Sequence, residues 1–162
     1  MRRFFRRHVS RFLCVAAMIA PSAGMRVFFN RLKGCKIGKN VWIGPQVFLD
    51  VHLDHPDPKN AVCIGDHVSV GQNVLAFTHD SSYWQVTRGQ QPIEFGRVVI
   101  GSDTYIGPNA LLYNTTVGHH CIIMAHSVLV GREFPSHSLI AGYPARVIKD
   151  LRKEIEGDRD TV

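Results

Sequence analysis

Apolar residues return at every sixth position through much of this 162-residue chain, in four blocks that begin at Ile37. Glycine directly follows seven of the twelve apolar positions, and small or branched side chains such as Val47 and Ala110 stand four residues after them. The twelve positions are Ile37, Ile43, Leu49, Ile64, Val70, Ala76, Ile100, Ile106, Leu112, Val117, Ile123 and Leu129. A period that is kept over four blocks indicates a repeat structure and not a set of unrelated turns.

The period of six is typical of strands, because it is a multiple of the strand period of two and does not keep one face of a helix. We expect short strands of four or five residues, each followed by a corner where glycine allows a tight backbone turn. Such strands wind into a coil whose successive turns hydrogen-bond in parallel, and stacked turns bury a continuous core. The sequence therefore predicts an all-β parallel coil over residues 35–149.

Two stretches interrupt the period. Residues 50–60 are polar and rich in turn-forming residues, and residues 79–97 are too long for a simple corner. Loops that project from a rigid scaffold are where binding and catalytic residues concentrate. We therefore expect the chemistry of this protein in these two loops.

Residues 1–34 form a basic segment that is predicted to be helical. Its apolar stretch, residues 12–20, is too short to cross a bilayer, which needs about 20 residues. Arginines recur every four residues opposite an apolar side. This pattern favours a helix that lies on an anionic membrane surface through residues 1–20 or one that docks on the end of the coil, with a cleavable secretory leader as the rival interpretation. The apolar side holds Phe5, Val9, Phe12, Leu13 and Ala16, and the basic side holds Arg3, Arg7 and Arg11.

Charge and cysteine usage exclude several function classes. Residues 1–36 carry nine basic residues and no acidic one, whereas residues 37–162 carry ten basic and thirteen acidic residues. A mildly acidic body argues against a nucleic-acid groove across the domain. The cysteines are widely spaced and form no CxxC pair, so neither a zinc site nor a disulfide framework is expected. They are Cys14, Cys35, Cys63 and Cys121.

The last part of the repeat, VGHHCIIMAHSVLVGREFPSHSLIAGYPARVIK, resembles the closing segment of the hexapeptide-repeat acyltransferases. Together with the period, the resemblance covers about residues 35–149 and is strongest for the compact polysaccharide-modifying members. It implies a left-handed parallel β-helix of triangular section, with a short N-terminal helix and a short C-terminal helix within residues 150–162. It also implies a homotrimer whose active sites lie between subunits.

The resemblance further implies an acetyl-CoA-dependent O-acetyltransferase that acts on a sugar hydroxyl of a lipopolysaccharide, capsule or exopolysaccharide unit. His79, where the coil gives way to the long loop, is the expected general base, because a neutral imidazole removes the proton from a hydroxyl as it attacks a thioester. Asp50 is the candidate for orienting the imidazole. Asp54 and Asp80 remain alternatives at this stage.

Other site residues are expected from the same resemblance. Tyr83 and Trp84 offer an apolar face to a sugar ring, and Asp54 lies in the loop expected to bind the acceptor. The basic residue of AGYPARVIK, Arg146, is expected to meet the phosphates of the coenzyme. The full set of expected acetyl-CoA-binding residues is Asn109, Ala125, Ser127, Arg132, Arg146 and Lys149.

Three other functions compete with this one. The first is acetylation of an antibiotic or another small xenobiotic, and the second is a non-catalytic β-helix scaffold. The third is a metalloenzyme like the γ-class carbonic anhydrases, but Pro108 and Tyr113 stand at two of the ligand positions, so no metal is expected. We expect no nucleic-acid partner and a location in the cytoplasm or at the inner face of the cytoplasmic membrane.

Overall fold

The computed structural model describes residues 2–52 and 54–156, in which short strands build three parallel sheets around one core. Within each turn the chain passes from the first sheet to the second and then to the third. The first sheet holds β1 (Lys36–Ile37), β4 (Val62–Ile64), β9 (Val98–Ile100), β12 (Thr115–Val117) and β15 (Glu133–Phe134). The second holds β2 (Trp42–Ile43), β5 (Ser69–Val70), β10 (Tyr105–Ile106), β13 (Ile122–Ile123), β16 (Ser138–Gly142) and the antiparallel β17 (Ala145–Asp150). The third holds β3 (Phe48–Leu49), β6 (Leu75–Phe77), β11 (Leu111–Tyr113) and β14 (Val128–Val130).

The remaining elements lie outside the three sheets. They are α1 (Arg2–Ile19), α2 (Ala23–Lys33), β7 (His79–Asp80), α3 (Ser82–Val86), β8 (Glu94–Phe95) and α4 (Arg152–Glu156). Strands β7 and β8 form a two-stranded antiparallel pair, and a 3-10 turn lies at Pro58–Asn60. The short helix α4 follows the last strand, as the sequence predicted for the C-terminal end.

The register of the sheets explains the period of six. Ile37 pairs with Ile64, Ile43 with Val70, and Leu49 with Ala76, so each apolar position stacks on the same position of the next turn. Eleven of the twelve apolar positions are buried, and Ile37 is half-buried. The predicted parallel coil is thereby confirmed, and its core is a column of these side chains.

The corners differ from the prediction. The coil strands before β16 have two or three residues instead of four or five, and residues other than glycine take the left-handed backbone conformation at most corners. Asparagine, aspartate and histidine are several-fold enriched there among non-glycine residues, so they can turn the chain at modest cost. One corner column holds Asn40, His67, Asp103, His120 and His137, and another holds Gln46, Asn73, Asn109 and His126, all with φ between 53° and 61°.

The glycines of the repeat serve close packing between turns, not the turning of the chain. None of the seven has a positive φ. A Cβ on Gly71 would lie 2.7 Å from the backbone nitrogen of Pro108 and 2.8 Å from the carbonyl oxygen of Ile106 in the next turn. The backbones of adjacent turns therefore approach each other where only a hydrogen atom fits, and this requirement fixes glycine at one phase of the repeat.

Two helices form the N-terminal segment, where one short helix was expected. The chain breaks at Pro21, and the Ser22 side chain accepts the N–H of Met25 to cap α2. Arg26 is buried and donates to the carbonyl oxygens of Ile43 (2.7 Å) and Ala20 (2.6 Å), which joins the helices to the first turn of the coil. The helix pair is therefore fastened to the end of the coil.

The side of α1 that packs agrees only in part with the side that the sequence predicted to be apolar. Leu13 and Ala16 are half-buried and lie on the same face as the buried Ala17, whereas Phe12 is 68 % exposed. The side chains of residues 2–10, including those of Phe5, Val9, Arg3 and Arg7, lie outside the described residues. Within the described part of the chain, no helix has both the length and the apolar character to cross a membrane.

Candidate active site

Both interrupting loops leave the coil at one corner, where the third sheet returns to the first. Asp50 directly follows β3, and Thr78 and His79 directly follow β6. Because β3 and β6 are paired, the backbone N–H of Asp50 donates to the carbonyl oxygen of Ala76 at 2.8 Å. The sheet register thus brings together side chains that are 29 residues apart in the sequence.

The imidazole of His79 and the carboxylate of Asp50 form a hydrogen-bonded pair. His79 Nδ1 lies 2.7 Å from Asp50 Oδ2, and the two side chains are 25 % and 12 % exposed. The same carboxylate oxygen accepts the Thr78 hydroxyl at 3.1 Å and the Thr78 N–H at 3.3 Å. With Nδ1 donating to the carboxylate, the neutral imidazole keeps Nε2 free to accept a proton, and the carboxylate stabilises the imidazolium that results.

The structure separates Asp50 from the two alternatives that the sequence left open. Asp54 is exposed, and its backbone N–H donates to Nδ1 of His52. The carboxylate of Asp80 accepts the backbone N–H of Ser82, and this bond is the main cause that lowers the pKa of Asp80. Of the three carboxylates, Asp50 alone is recorded in a hydrogen bond with His79.

Two further histidines of the first loop contact the second loop, and sequence analysis missed both. The ring of His52 lies 4.4 Å from that of His79, measured between centroids, and 5.5 Å from the ring of Phe95. His55 is buried, accepts the N–H of Asp57 at Nδ1 and therefore donates Nε2–H to the carbonyl oxygen of Gly96 at 2.9 Å. His55 thus ties the first loop to the second, in a stretch whose composition also fits an ordinary surface turn.

A groove of about 410 Å³ lies along the same corner. Its lining includes Phe95, whose partner in the β7–β8 pair is His79. Arg97 and Arg132 supply two cationic side chains to the groove. Its remaining lining residues are Gly96, Val99, Asn114, Thr115, Thr116, Gly131 and Glu133.

The expected coenzyme residues are divided between different parts of the coil. Arg132 lines the groove beside the loops. Asn109 and Ala125 are exposed at another corner, between the second and third sheets, where the Asn109 amide lies 3.5 Å from His126 Nε2. Within one chain, these residues therefore do not share a surface with His79.

Ser127 differs from its expected role. The residue is 1 % exposed, its hydroxyl is buried without a partner, and its carbonyl oxygen accepts the N–H of Leu111. Its position in the repeat points the side chain into the core, so the hydroxyl cannot meet a coenzyme that lies outside the coil.

The other expected residues are exposed. Arg146 donates to the neighbouring carbonyl oxygen of Ala145, and Lys149 pairs with Glu154 of α4. Tyr83 and Trp84 lie on α3 within the long loop and are 63 % and 44 % exposed. No group of three or more histidine, cysteine or acidic side chains able to hold a metal ion lies within residues 2–52 and 54–156.

The chain is similar to known acetyltransferases in both sequence and structure. It is 27 % identical over 139 residues to galactoside O-acetyltransferase of Escherichia coli K12, covering 76 % of this chain and 65 % of that protein. It is 25 % identical over 133 residues to a protein of the same organism that is assigned by name to O-acetyl transfer in lipopolysaccharide biosynthesis, covering 79 % and 56 %. The chain thus spans between about half and two thirds of these curated relatives. No family model matches the sequence.

A solved structure with a similar fold is the hexapeptide-repeat-containing acetyltransferase of Vibrio cholerae O1 in complex with acetyl-CoA. The TM-score is 0.60 at 23 % identity, with 90 % of this chain and 87 % of that chain covered. At this identity the likeness shows the fold, which is a left-handed parallel β-helix. In its repeat, its coil and its similarity to these relatives, the chain resembles the hexapeptide-repeat acetyltransferases.

Proposed function

We propose that this protein transfers the acetyl group of acetyl-CoA to a hydroxyl group of a saccharide, with His79 as the general base. The observation that carries the proposal is the Asp50–His79 pair at the looped corner, next to a groove with two arginines. The relatives support the same chemistry, since one is named for O-acetylation of galactosides and another for O-acetyl transfer in lipopolysaccharide biosynthesis.

The reaction follows from the free Nε2 of His79. The acceptor oxygen attacks the thioester carbon, a carbon–oxygen bond forms, and the hydroxyl proton moves to Nε2. The Asp50 carboxylate stabilises the imidazolium at Nδ1. The tetrahedral intermediate then collapses, the carbon–sulfur bond breaks, and the imidazolium returns its proton to the leaving thiolate. The products are an acetyl ester and free coenzyme A, with no acyl-enzyme between them.

The groove at the looped corner is the proposed path of the coenzyme. Arg97 and Arg132 are placed to attract its phosphates, and Arg146 adds positive charge on β17. Asn109 and Ala125 lie at a different corner, so they reach this groove only from a neighbouring copy of the chain. A coenzyme held between two subunits accounts for both sets of residues.

This arrangement requires an oligomer, which we propose to be a homotrimer. The outer face of the second sheet carries a largely apolar strip, in which Trp42, Tyr105 and Ile122 are 47 %, 45 % and 36 % exposed and Ser69 lies between Trp42 and Tyr105. Burial of such a strip against another subunit stabilises an assembly. Light scattering at micromolar concentration should give a mass three times the 18.2 kDa of one chain, and a monomer would contradict the shared site.

The experiment for the activity is release of coenzyme A from acetyl-CoA in the presence of a panel of saccharides, read by a thiol reagent. Mass spectrometry should show that one saccharide gains one acetyl group. Hydroxylated antibiotics in the same panel test the xenobiotic alternative. If no acceptor of either group caused thiol release, this result would favour the scaffold interpretation and refute the transferase.

The helix pair supports peripheral contact with an anionic membrane at the inner face of the cytoplasmic membrane, through residues 1–20 and on into α2. On α1, an outward stripe holds Phe12, Val15 and Ile19, which are 68 %, 55 % and 73 % exposed. On α2, Met25, Phe28 and Leu32 repeat the same spacing and are 43 %, 56 % and 56 % exposed. Two apolar stripes in a segment with nine basic and no acidic residues match the chemistry of an anionic lipid surface.

Co-sedimentation with vesicles tests this contact. Ile19→Ser should weaken binding to vesicles that contain phosphatidylglycerol by roughly tenfold, because about 1–2 kcal/mol of apolar burial is lost. Val86→Ser is the matched control, since Val86 on α3 is 75 % exposed and Ile19 is 73 % exposed. Equal binding of both variants would contradict the lipid contact. A change of oligomeric mass in Ile19→Ser alone would assign the stripe to contact between copies of the chain.

A further inference from the structure

His52 lies beside the proposed base, and the hydrogen bond between Asp50 and His79 gives it no role. It lies two residues after Asp50 on the first loop, and its ring meets that of His79 at 4.4 Å with an angle of 49° between the planes. Phe95 of the second loop lies 5.5 Å from the same ring. His52 is therefore held between the two loops, in contact with the imidazole of His79.

The hydrogen bonds of His52 determine where its proton lies. The backbone N–H of Asp54 donates to Nδ1 at 3.2 Å, so the neutral ring carries its proton on Nε2. Burial lowers the pKa of His52 below its ordinary value of 6.5, and the neighbouring His79 lowers it further. At neutral pH the residue is accordingly an uncharged Nε2–H donor with a fixed tautomer.

This donor has no protein partner among the residues that the structure describes. The only hydrogen bond recorded for the side chain is the one at Nδ1, and the residue is half-buried. A donor that is partly removed from water and left unpaired costs free energy unless a ligand or a water molecule accepts its proton. Next to a base that takes a proton from one hydroxyl, the natural ligand is a second oxygen of the same acceptor.

We propose that His52 donates its Nε2–H to the hydroxyl next to the one that is acetylated, so that the site selects acceptors with adjacent hydroxyl groups. The inference rests on the proposed function and narrows its substrate class. Two imidazoles in ring contact, one accepting a proton and one donating, can engage two neighbouring oxygens of a sugar ring. An acceptor with an isolated hydroxyl would leave His52 unpaired.

The test compares His52→Phe, which keeps an aromatic ring and removes the N–H donor, with His52→Gln, which keeps an N–H donor. The acceptor is the saccharide that the wild type acetylates best in the panel above, used as its methyl glycoside and as its monodeoxy analogues. For the glycoside, kcat/KM in His52→Phe should fall about 5- to 30-fold, while the KM for acetyl-CoA stays unchanged. His52→Gln should recover most of the loss.

The monodeoxy analogues separate hydrogen bonding from packing. For the analogue that lacks the neighbouring hydroxyl, the wild type and His52→Phe should have equal kcat/KM. Equal activity of His52→Phe and wild type on the parent glycoside would overturn the inference, as would an equal loss on every analogue. If the wild type acetylates no saccharide at all, the proposed function fails first, and the inference fails with it.

Discussion

One corner of the coil differs between its two halves. Where the third sheet returns to the first, the first two turns carry the loops of residues 50–60 and 79–97. The next two turns close the same corner compactly through Asn114 and Gly131, with φ of 44° and 60°. The compact half continues the stack and lines the groove, whereas the looped half holds the Asp50–His79 pair.

The repeat and the two loops that interrupt it have different roles. The repeat fixes the register, and the register determines which loop residues meet. The loops supply the titratable side chains that a core of aliphatic residues and glycine lacks. Substitutions in the loops should therefore change turnover, and substitutions in the repeat should change stability.

The largest effect is expected in the looped half from His79→Ala. Loss of a general base lowers kcat by about 10²- to 10⁴-fold. Thiol release under saturating acetyl-CoA measures it, with the circular dichroism spectrum as the check on folding. His67→Ala is the control, because His67 pairs with Asp103 at another corner. Turnover close to the wild-type rate in His79→Ala would show that His79 is not the general base.

Asp50→Asn should have the next largest effect. The imidazolium of His79 loses a charge-assisted hydrogen bond worth about 1.5–3 kcal/mol, so kcat should fall roughly 10- to 100-fold. Asp80→Asn serves as the matched variant, since its carboxylate accepts from Ser82 instead. If Asp80→Asn proved the more damaging of the two, the orienting role would move from Asp50 to Asp80.

In the repeat, Gly71→Ala should act on stability. The added Cβ would lie within 3 Å of the backbone of the next turn, and overpacking of this kind costs about 1–3 kcal/mol. Urea unfolding at a fixed protein concentration measures the change. Gly24→Ala is the control, because its Cβ meets nothing within 4 Å in α2 and should stabilise the helix by about 0.5–1 kcal/mol. Equal midpoints for the two variants would contradict the packing role of Gly71.

The smallest effect is expected from the arginines near the compact half. Arg132→Ala and Arg146→Ala should each raise the KM for acetyl-CoA about 3- to 10-fold, since an exposed contact to a phosphate contributes about 1 kcal/mol. The same measurement with the acetyl thioester of dephospho-coenzyme A, which lacks the 3′-phosphate, shows which phosphate each arginine contacts. A smaller increase with that donor assigns the contact to the 3′-phosphate, and the same increase with both donors would place it elsewhere on the coenzyme.

The period of six was sufficient to predict the coil, because one buried column requires one apolar residue per side of each turn. The corner conformations were not predicted from it, since glycine was expected to turn the chain, whereas residues such as His67 and His120 take the left-handed backbone there. Ser127 is instructive, because it stands four residues after Ile123, a position that the repeat directs inward. The resemblance to the family suggested a coenzyme contact there, and the phase of the repeat overrules it.

The site was partly predictable for similar reasons. His79 stands where the period breaks, so the sequence marked it, but three carboxylates remained open until the strand pairing placed Asp50 against it. His52 and His55 acquire their surroundings from Phe95 and Gly96 of the other loop. Contacts between two irregular loops have no period, and a sequence pattern does not reveal them.

The role of His79 as the general base is tested most directly by a structure of the protein with bound acetyl-CoA. The acceptor oxygen must lie about 3 Å from Nε2 of His79 and about 3–3.5 Å from the thioester carbon. That carbon should therefore lie within roughly 6 Å of His79 Nε2, in the groove at the looped corner. A thioester bound at a different corner, out of reach of every copy of His79 in the assembly, would contradict it.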